Sequence, residues 1–389
     1  MANFRKAIRS NIRQYTMGIA LAVLILVLEV VTEGTMLKPL NVTNLILQNM
    51  YVFVLGMGML LCILTGGNID LSVGSVVAFA SAIAGVLMVD MHMPTLPAVL
   101  IVLAVGLVVG MWHGFWIAVI KVHPWITTLA GELLFRGLAQ VILNGRSIGP
   151  VPEAFQFLAT GFFPDIIPGA PRHMLTILLG AVGTIVFIAS TLISNRRNKR
   201  MGLPTTSMGL LAGKIVLISL FINALCYVLS GYKGASFAML LLIVLVLIFS
   251  FITKKSVFGR HLYAMGGNIK AARLSGINTS RLMFTVYTIS SFMATVAGIL
   301  VCARATSATP KAGINYETDA IAACFLGGAS ISGGAGTVFG VLVGALIMGV
   351  LNNGMSLLGV SIDWQSSIKG LVVLVAVAFD MLFKNRQRG

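Results

Sequence analysis

The sequence predicts an all-α protein, a polytopic transmembrane helical bundle of about twelve spans with a weak parallel internal repeat. Apolar residues make up 58% of the 389-residue chain and charged residues only 10%, with a mean hydropathy of +0.98, whereas a soluble domain carries about 25% charged residues. Apolar runs of membrane-spanning length follow one another along the chain. Two similar glycine-rich breaks, at 66–75 and 327–336, each precede an apolar run.

Charged or Pro/Gly-rich segments divide the apolar runs into spans. The first run follows Arg5, Lys6, Arg9 and Arg13, a basic start of the kind that signal peptides have. Because Glu29 interrupts this run and no small-residue cleavage site follows it, we expect an uncleaved first span. We expect residues 1–389 to form a single transmembrane domain. Its spans are predicted near 17–33, 45–64, 73–91, 96–120, 125–143, 174–194, 208–230, 236–253, 283–304, 319–332, 336–353 and 365–383.

Basic residues predict the orientation of the bundle. With the N-terminus in the cytoplasm, the cytoplasmic segments hold 18 of the 27 Lys and Arg residues, as the positive-inside rule requires. The protein is then a multi-pass membrane protein with both termini cytoplasmic. An eleven-span arrangement is disfavoured because it places Lys384, Arg386 and Arg388 outside. Both glycine-rich breaks lie on one side, so the repeat is parallel rather than inverted.

Charge distribution and residue types exclude several function classes. The net charge of +16 is concentrated in short loops between spans, so membrane lipid, and not nucleic acid, is the expected neighbour. The four cysteines lie in apolar runs without paired spacing, which indicates neither a disulfide framework nor a metal site. No His/Asp/Glu cluster has metal-ligand spacing and no Ser-His-Asp arrangement is present, so no enzyme activity is predicted.

Polar side chains near the spans are candidates for a translocation pathway or gate. Asn68, Asp70 and Ser72 lie in the first break, where polar groups at membrane depth are costly unless protein or water covers them. Asn352 and Asn353 lie near the end of a later span. The alternative for Asp70 and Ser72 is that they cap the following helix, and for the asparagines that they satisfy a helix end.

Two other groups of polar residues are expected to be structural. Glu132 and Arg136 are spaced i, i+4 with the glutamate first, which favours an ion pair on one helix face. Inside a membrane such a pair must face the bundle, where it would lock helices together. The segment 112–125 contains two histidines and three tryptophans, His113, His123, Trp112, Trp116 and Trp125. This pattern favours an aromatic belt at the membrane interface over a proton relay or aromatic rings that stack on a sugar.

The largest predicted cytoplasmic loop covers residues 254–282. Asn268 is suited to cap a short helix over 269–275, and Gly276 to end it. This pattern predicts a helix along the membrane face that docks another protein. A basic, solvated connector held near anionic lipid is the alternative.

Three motifs in the chain resemble those of one family. GNIDLSVGS at 67–75 is similar to its first motif, and DAIAA at 319–323 with the following Gly327 and Gly328 to its third. FGR at 258–260, YAMGGN at 263–268 and AARLSGI at 271–277 resemble its cytoplasmic motif. The family is that of the permease subunits of ATP-driven monosaccharide importers, the ribose/xylose/galactose class. The extra spans at about 174–230 are similar to those of the xylose and multiple-monosaccharide branch.

The resemblance implies a homodimer of permeases in the bacterial inner membrane, on two ATPase subunits and fed by a periplasmic sugar-binding protein. Loop 144–172, with Glu153 and Asp165, and loop 305–318 are candidates for docking that binding protein. Because the sequence has no G-x-x-x-x-G-K-[ST] phosphate loop, no cofactor is expected on this chain, and ATP with Mg²⁺ is expected on the partner. The segment that would couple to the ATPase contains Gly259, Arg260, Gly267, Asn268, Ala271, Arg273, Ser275 and Gly276.

Three other functions remain open at this point. An ion- or proton-coupled secondary transporter needs coupling carboxylates within spans, and only Glu132, Asp70 and Glu29 qualify. A permease of the same superfamily for branched-chain amino acids, nucleosides or a signalling sugar would share the motifs. A passive channel would transport without an ATPase.

Overall fold

The computed structural model describes residues 2–167, 170–202 and 208–386; Arg388 and residues 168–169 of loop 144–172 lie outside them. Two π-helical turns, Val86–Asp90 and Phe115–Val119, extend α3 and α4. The first eight helices are α1 (Ala2–Val31), α2 (Pro39–Leu64), α3 (Val73–Gly85), α4 (Thr95–Gly114), α5 (Pro124–Leu143), α6 (Glu153–Thr160), α7 (Met174–Arg200) and α8 (Met208–Leu229). The others are α9 (Phe237–Lys255), α10 (Val257–Gly267), α11 (Ile269–Leu274), α12 (Thr279–Ala305), α13 (Tyr316–Leu326), α14 (Val338–Leu357) and α15 (Ile362–Arg386).

The predicted polytopic helical bundle is confirmed. Within the described residues, nine helices are long and apolar enough to cross a membrane: α2, α3 and α4 with their π-helical turns, α5, α7, α8, α9, α12 and α14. The apolar part of α1, Met17–Val31, is shorter. The predicted loops 144–172 and 254–282 contain the short helices α6, α10 and α11.

The predicted tenth span, 319–332, is wrong as a membrane-crossing helix. Helix α13 ends at Leu326 and has 11 residues, about 16 Å of helix against a hydrocarbon core of about 30 Å. The preceding connector enters the bundle without helical structure, and its Ala312 and Gly313 carbonyls accept hydrogen bonds from Arg136 of α5. Non-helical backbone at this depth is tolerated because protein satisfies its carbonyl groups.

The core of the bundle is built on α2 and α12. In the most apolar part of α2, 89% of the residues are buried, and 72% in α12. Small residues allow these helices to approach their neighbours: a Cβ at Gly110 of α4 would lie 2.7 Å from the Thr288 Cα of α12. Close backbone approach is the usual basis of helix packing in lipid, where burial of apolar surface provides little drive.

Helices α7 and α8 form a peripheral hairpin. Only 11% and 6% of the residues in their most apolar parts are buried. The two helices hold each other through Asn223, whose Nδ2 donates to the Thr184 Oγ1 at 2.8 Å, and through the close approach of Gly180 to Cys226. Their other faces are largely apolar and exposed, as expected of helices that meet lipid.

Candidate translocation and coupling site

The first glycine-rich break carries a fully buried carboxylate into the bundle. Asp70 is 0% exposed, and its Oδ1 accepts hydrogen bonds from the Ser72 backbone N at 3.0 Å and the Ser72 Oγ at 2.6 Å. Its Oδ2 accepts from the Ser290 Oγ of α12 at 2.7 Å. A buried charge requires such donors, so Asp70 ties the break to the central helix.

The capping alternative holds only in part. Ser72 is the N-cap residue of α3 but makes no side-chain cap hydrogen bond; its hydroxyl donates to Asp70. Both side chains are 0% exposed. They therefore fix the start of α3 from within the protein.

The two breaks meet each other. The Gly334 backbone N donates to the Leu64 carbonyl at 3.2 Å. Gly67 adopts a left-handed φ of +79°, and a Cβ there would collide with the Ile331 carbonyl oxygen. This contact agrees with the prediction that both breaks lie on one side of the membrane, and it requires glycine.

The predicted coupling segment lies against the same contact. A Cβ at Gly266 of α10 would collide with the Leu64 carbonyl and the Gly334 backbone N. The Tyr263 Oη, also of α10, donates to the Gly336 carbonyl at 2.8 Å. We call the contact among 64–67, 331–336 and 263–266 the glycine junction. Through it, α10 touches the ends of both broken spans at once.

The predicted cap of the coupling helix is present. The Asn268 Oδ1 accepts from the Ala271 backbone N at 3.0 Å at the start of α11, and Gly276 has a φ of +82° just after its end. Helix α11 covers Ile269–Leu274. The Arg273 Nε donates to the Thr279 Oγ1 at 3.0 Å, which ties α11 to the start of α12. Another cap begins α10, where the Ser256 Oγ accepts from the Gly259 backbone N at 3.0 Å.

The other predicted coupling residues are placed by these two helices. Gly259 lies in the first turn of α10 and Gly267 ends that helix. Arg260 is exposed, with its Nη1 3.4 Å from the Lys255 carbonyl. Ala271 lies within α11 and Ser275 follows its last residue. Residues 254–282 contain six basic and no acidic residues, so the surface of this segment is strongly positive.

A cavity of about 220 Å³ lies at the other end of α2 and α12. Its walls come from the first half of α2, the last turn of α12 and the connector 305–316. We call it the outer cavity, since it lies on the side opposite the coupling segment. Its polar and aromatic wall consists of Gln48, Tyr51, Arg304, Ser307, Thr309, Lys311 and Tyr316.

Two stacked aromatic rings line the outer cavity, and one of them contacts a buried ion pair. The rings of Tyr51 and Tyr316 stack with centroids 3.7 Å apart. The Tyr51 Oη donates to the Asp319 Oδ2, and the Lys369 Nζ of α15 lies 3.1 Å from the same oxygen. Asp319 is 1% exposed, so this pair joins α2, α13 and α15.

A second cavity, of about 320 Å³, lies beside the coupling segment. We call it the inner recess. Asn68 of the first break lies in its wall, with its Nδ2 donating to the Thr65 Oγ1 at 3.0 Å. The α4–α5 connector and the starts of α11 and α12 complete the wall. Among the five predicted pathway residues, Asn68 alone lines either of these two cavities.

Asn352 and Asn353 join α14 to α2. The side-chain amides of Asn353 and Asn41 bond reciprocally at 2.8 and 3.0 Å. The Asn352 Nδ2 donates to the Asn49 Oδ1 at 3.1 Å. Both asparagines therefore act between helices in this conformation.

The structure directs Arg136 away from the predicted ion pair. Its Nη1 and Nη2 donate to the Ala312 and Gly313 carbonyls at 2.6 and 3.2 Å. Among the described residues, no ion pair joins Arg136 to Glu132. The connector carbonyls need donors at membrane depth, and the long guanidinium reaches them.

His113 is interior and does not lie in an interfacial belt. It is 0% exposed, and its Nδ1 lies 3.2 Å from the Ser291 Oγ. Trp112 packs edge-on against Phe135, while Trp116 is 38% exposed. Of these two tryptophans, Trp116 is therefore the exposed one, whereas His113 is interior.

Asp165 of loop 144–172 already has hydrogen-bond partners within the protein. Its carboxylate accepts from the backbone N atoms of Ile166, Met174 and Leu175 at 2.8 to 3.0 Å and lies 3.7 Å from the His173 Nδ1. Desolvation alone would raise the pKa of Asp165, but the three backbone donors and His173 lower it by more. The pKa therefore lies below its ordinary value. Asp165 therefore fixes the start of α7, and Glu153 is the exposed acid of this loop.

Sequence reasoning missed most of the outer cavity. Tyr51 lies in an apolar run and Lys311 in a loop, so neither pattern indicated a shared wall. A signal was present for the ion pair behind the tyrosines: Lys369 is a lone cation within a predicted span, and such a residue needs a partner inside the bundle. That partner, Asp319, lies 50 residues away in the chain.

Comparison with known proteins identifies the family. The model for the branched-chain amino acid transport system permease component matches residues 41–377. The chain belongs to this family of transport permeases. The xylose transport system permease protein XylH of Haemophilus influenzae is 36% identical over 376 residues, covering 97% of this permease and 98% of the relative.

Two further relatives of this permease come from Escherichia coli strain K12. Its xylose transport system permease protein XylH is 35% identical over 376 residues, covering 97% of the chain and 93% of the relative. Its ribose import permease protein RbsC is 34% identical over 340 residues, covering 87% of the chain and 85% of the relative. No solved structure matches the chain.

Proposed function

We propose that this permease is the membrane subunit of an ATP-driven, binding-protein-dependent importer of monosaccharides, xylose-like or several. The observation that carries the proposal is the glycine junction, where the basic segment α10–α11 touches both broken spans. The names of the relatives support a pentose as the solute. Xylose permeases also cover more of the chain than ribose permeases do, 97% against 87%.

The coupling segment suits an acidic partner surface. It has six basic and no acidic residues, and complementary charge favours correct docking. An ATPase that closes on ATP with Mg²⁺ would move α10, and the junction would carry this movement to 64–67 and 331–336. Alternating access would follow as the broken spans shift. Each chain forms a single transmembrane domain with both termini in the cytoplasm, and two chains form a homodimer.

The outer cavity suits a sugar that a periplasmic binding protein delivers. Stacked tyrosines and several hydrogen-bonding side chains form its wall, the combination that small polar ligands with apolar faces require. Glu153 and loop 305–318 lie on this side and are the proposed contacts of the binding protein.

Reconstituted vesicles test the proposal. Labelled xylose or ribose uptake should require the permease, its ATPase and its binding protein, and should survive an uncoupler while ATP is maintained. Arg273→Glu should abolish sugar-stimulated ATP hydrolysis, whereas Arg200→Glu at the end of α7 should not. Uptake by the permease alone without ATP would contradict the proposal in favour of a secondary transporter or channel.

A further inference from the structure

The inner recess has the construction of a binding site for a small anion. Its volume of about 320 Å³ lies within the range of about 300–1,000 Å³ for small-molecule sites. Its floor is buried: Thr65 is 2% exposed, Met265 2% and Thr279 6%. The recess lies between the first break, the α4–α5 connector and the coupling segment, and the side chains of Lys121 and Arg273 stand at its exposed rim.

Positive charge in the recess is unopposed. Lys121 and Arg273 line it, and no carboxylate does. Within the described residues, neither cation forms an ion pair. The first turn of α12 also faces the recess through Thr279 and Ser280, and a helix N-terminus favours negative charge. The two cations, the lack of a carboxylate in the wall and the α12 N-terminus all favour binding of an anion.

Hydroxyl and amide groups stand beside the cations. The Arg273 Nε donates to the Thr279 Oγ1 at 3.0 Å, which fixes the guanidinium plane and leaves its two Nη groups for a ligand. Ser280 and Asn68 also line the recess and supply hydrogen-bonding groups. Arg and Lys bind phosphate oxygens well, and the neutral groups suit a hydroxylated body.

We propose that the inner recess binds the phosphate group of a small polyhydroxylated molecule, a sugar phosphate from the cytoplasm. A phospholipid headgroup shares this phosphate and hydroxyl chemistry and is the other source. The bound phosphate joins Lys121 of the α4–α5 connector to Arg273 of α11, and so holds the coupling segment in place. Binding is independent of the proposed function, whereas the resulting inhibition of uptake rests on it.

Binding is measured on the purified full-length chain by isothermal titration with glucose 6-phosphate, with glucose and inorganic phosphate for comparison. Glucose 6-phosphate should bind and glucose should not. Lys121→Gln should weaken binding about tenfold or more, the effect of losing one charge-assisted hydrogen bond. Arg281→Gln, an exposed cation of the same first turn of α12 that does not line the recess, should bind as the unmodified chain does.

Lipid nanodiscs distinguish the two sources. Glucose 6-phosphate binding that is equal in phosphatidylcholine alone and with added phosphatidylglycerol assigns the recess to the soluble ligand. Competition by phosphatidylglycerol that Lys121→Gln removes assigns it to a lipid headgroup. No binding of either, in a chain whose thermal unfolding is normal, overturns the proposal, and so does binding that Lys121→Gln leaves unchanged.

Uptake tests the regulatory part separately. Glucose 6-phosphate on the cytoplasmic side of energised vesicles should lower sugar uptake by the unmodified importer and have about tenfold less potency with Lys121→Gln. Unchanged uptake despite demonstrated binding overturns the regulatory role and leaves the recess as a site. If the unmodified importer shows no ATP-dependent uptake even without glucose 6-phosphate, that result would instead contradict the proposed function.

Discussion

The two glycine-rich breaks have similar composition but are held differently. Side chains lock the first break to α12, since Asp70 accepts hydrogen bonds from both Ser72 and Ser290. In the second break, the Ser330 N donates to the Ala335 carbonyl at 2.8 Å and the Ser332 N donates to the Ser330 Oγ at 3.3 Å. It contacts α10 through the close approach of Gly334 to Gly266 and through the hydrogen bond from the Tyr263 Oη to the Gly336 carbonyl. We therefore expect the first break to be the fixed one, anchored to α12, and the second break to move with the coupling segment.

The largest effect is expected where both breaks touch. Gly67→Ala places a methyl group against the Ile331 carbonyl and puts alanine at a φ of +79°, so the backbone has to move. We expect a loss of more than about 2 kcal/mol in stability and loss of uptake, measured by thermal unfolding and by transport. Gly137→Ala in α5 has open space and ordinary helical backbone and should retain both.

Removing the anchor of the first break should have the next largest effect. Asp70→Ala leaves the Ser72 and Ser290 hydroxyls without their acceptor in the bundle core, which should cost about 2 kcal/mol of stability. Asp70→Asn keeps an acceptor and should cost about half as much. Asp363→Ala, an exposed acid at the start of α15, is the control. Equal unfolding midpoints for all three variants would refute the anchoring role.

Tyr263→Phe separates the second break from the coupling segment. It removes one hydrogen bond to the Gly336 carbonyl, so stability should fall by only about 1 kcal/mol. Sugar-stimulated ATP hydrolysis should fall several-fold more than basal hydrolysis does. Tyr232→Phe in an exposed outer loop should change neither rate. A Tyr263→Phe importer with normal stimulation would show that the second break responds through another contact.

The smallest effect is expected away from both breaks. Asn353→Ala removes the reciprocal amide pair with Asn41, and hydrogen bonds between membrane helices contribute about 0.6 kcal/mol on average. Asn41→Ala also removes the Nδ2 hydrogen bond to the Met36 carbonyl at 2.9 Å, so in a thermal unfolding cycle the double variant should be less stable than Asn353→Ala only by the loss of that bond. A strong loss of uptake at unchanged stability would instead indicate that Asn353 lines the translocation pathway, as the sequence predicted.

Local sequence patterns predicted the parts of the site that depend on neighbouring residues. Hydropathy marked the bundle, and the cap at Asn268 with the glycine at 276 followed from spacing within ten residues. The failures are long-range. Helix α13 is short because the connector before it enters the bundle as irregular backbone, which hydropathy does not distinguish from a span. Arg136 bonds to carbonyls 176 and 177 residues away, beyond any helix-face argument.

Buried pairs between distant elements were equally hidden. Lys369 and Asp319 approach to 3.1 Å although they belong to two separate helices, α15 and α13. A lone intramembrane charge signals that a partner exists, but only the packing of α13 against α15 shows which one. The outer cavity was missed for the same reason, because its wall comes from three separate segments.

Hydrogen exchange on the assembled importer tests the central claim most directly. Amide protection is measured by mass spectrometry in 65–72, 263–268 and 327–337, with and without a non-hydrolysable ATP analogue. The glycine junction predicts that nucleotide changes protection in 263–268 and 327–337 together, and less in 65–72, which Asp70 anchors. A nucleotide effect confined to 263–268, with both breaks unchanged, would contradict coupling through the junction.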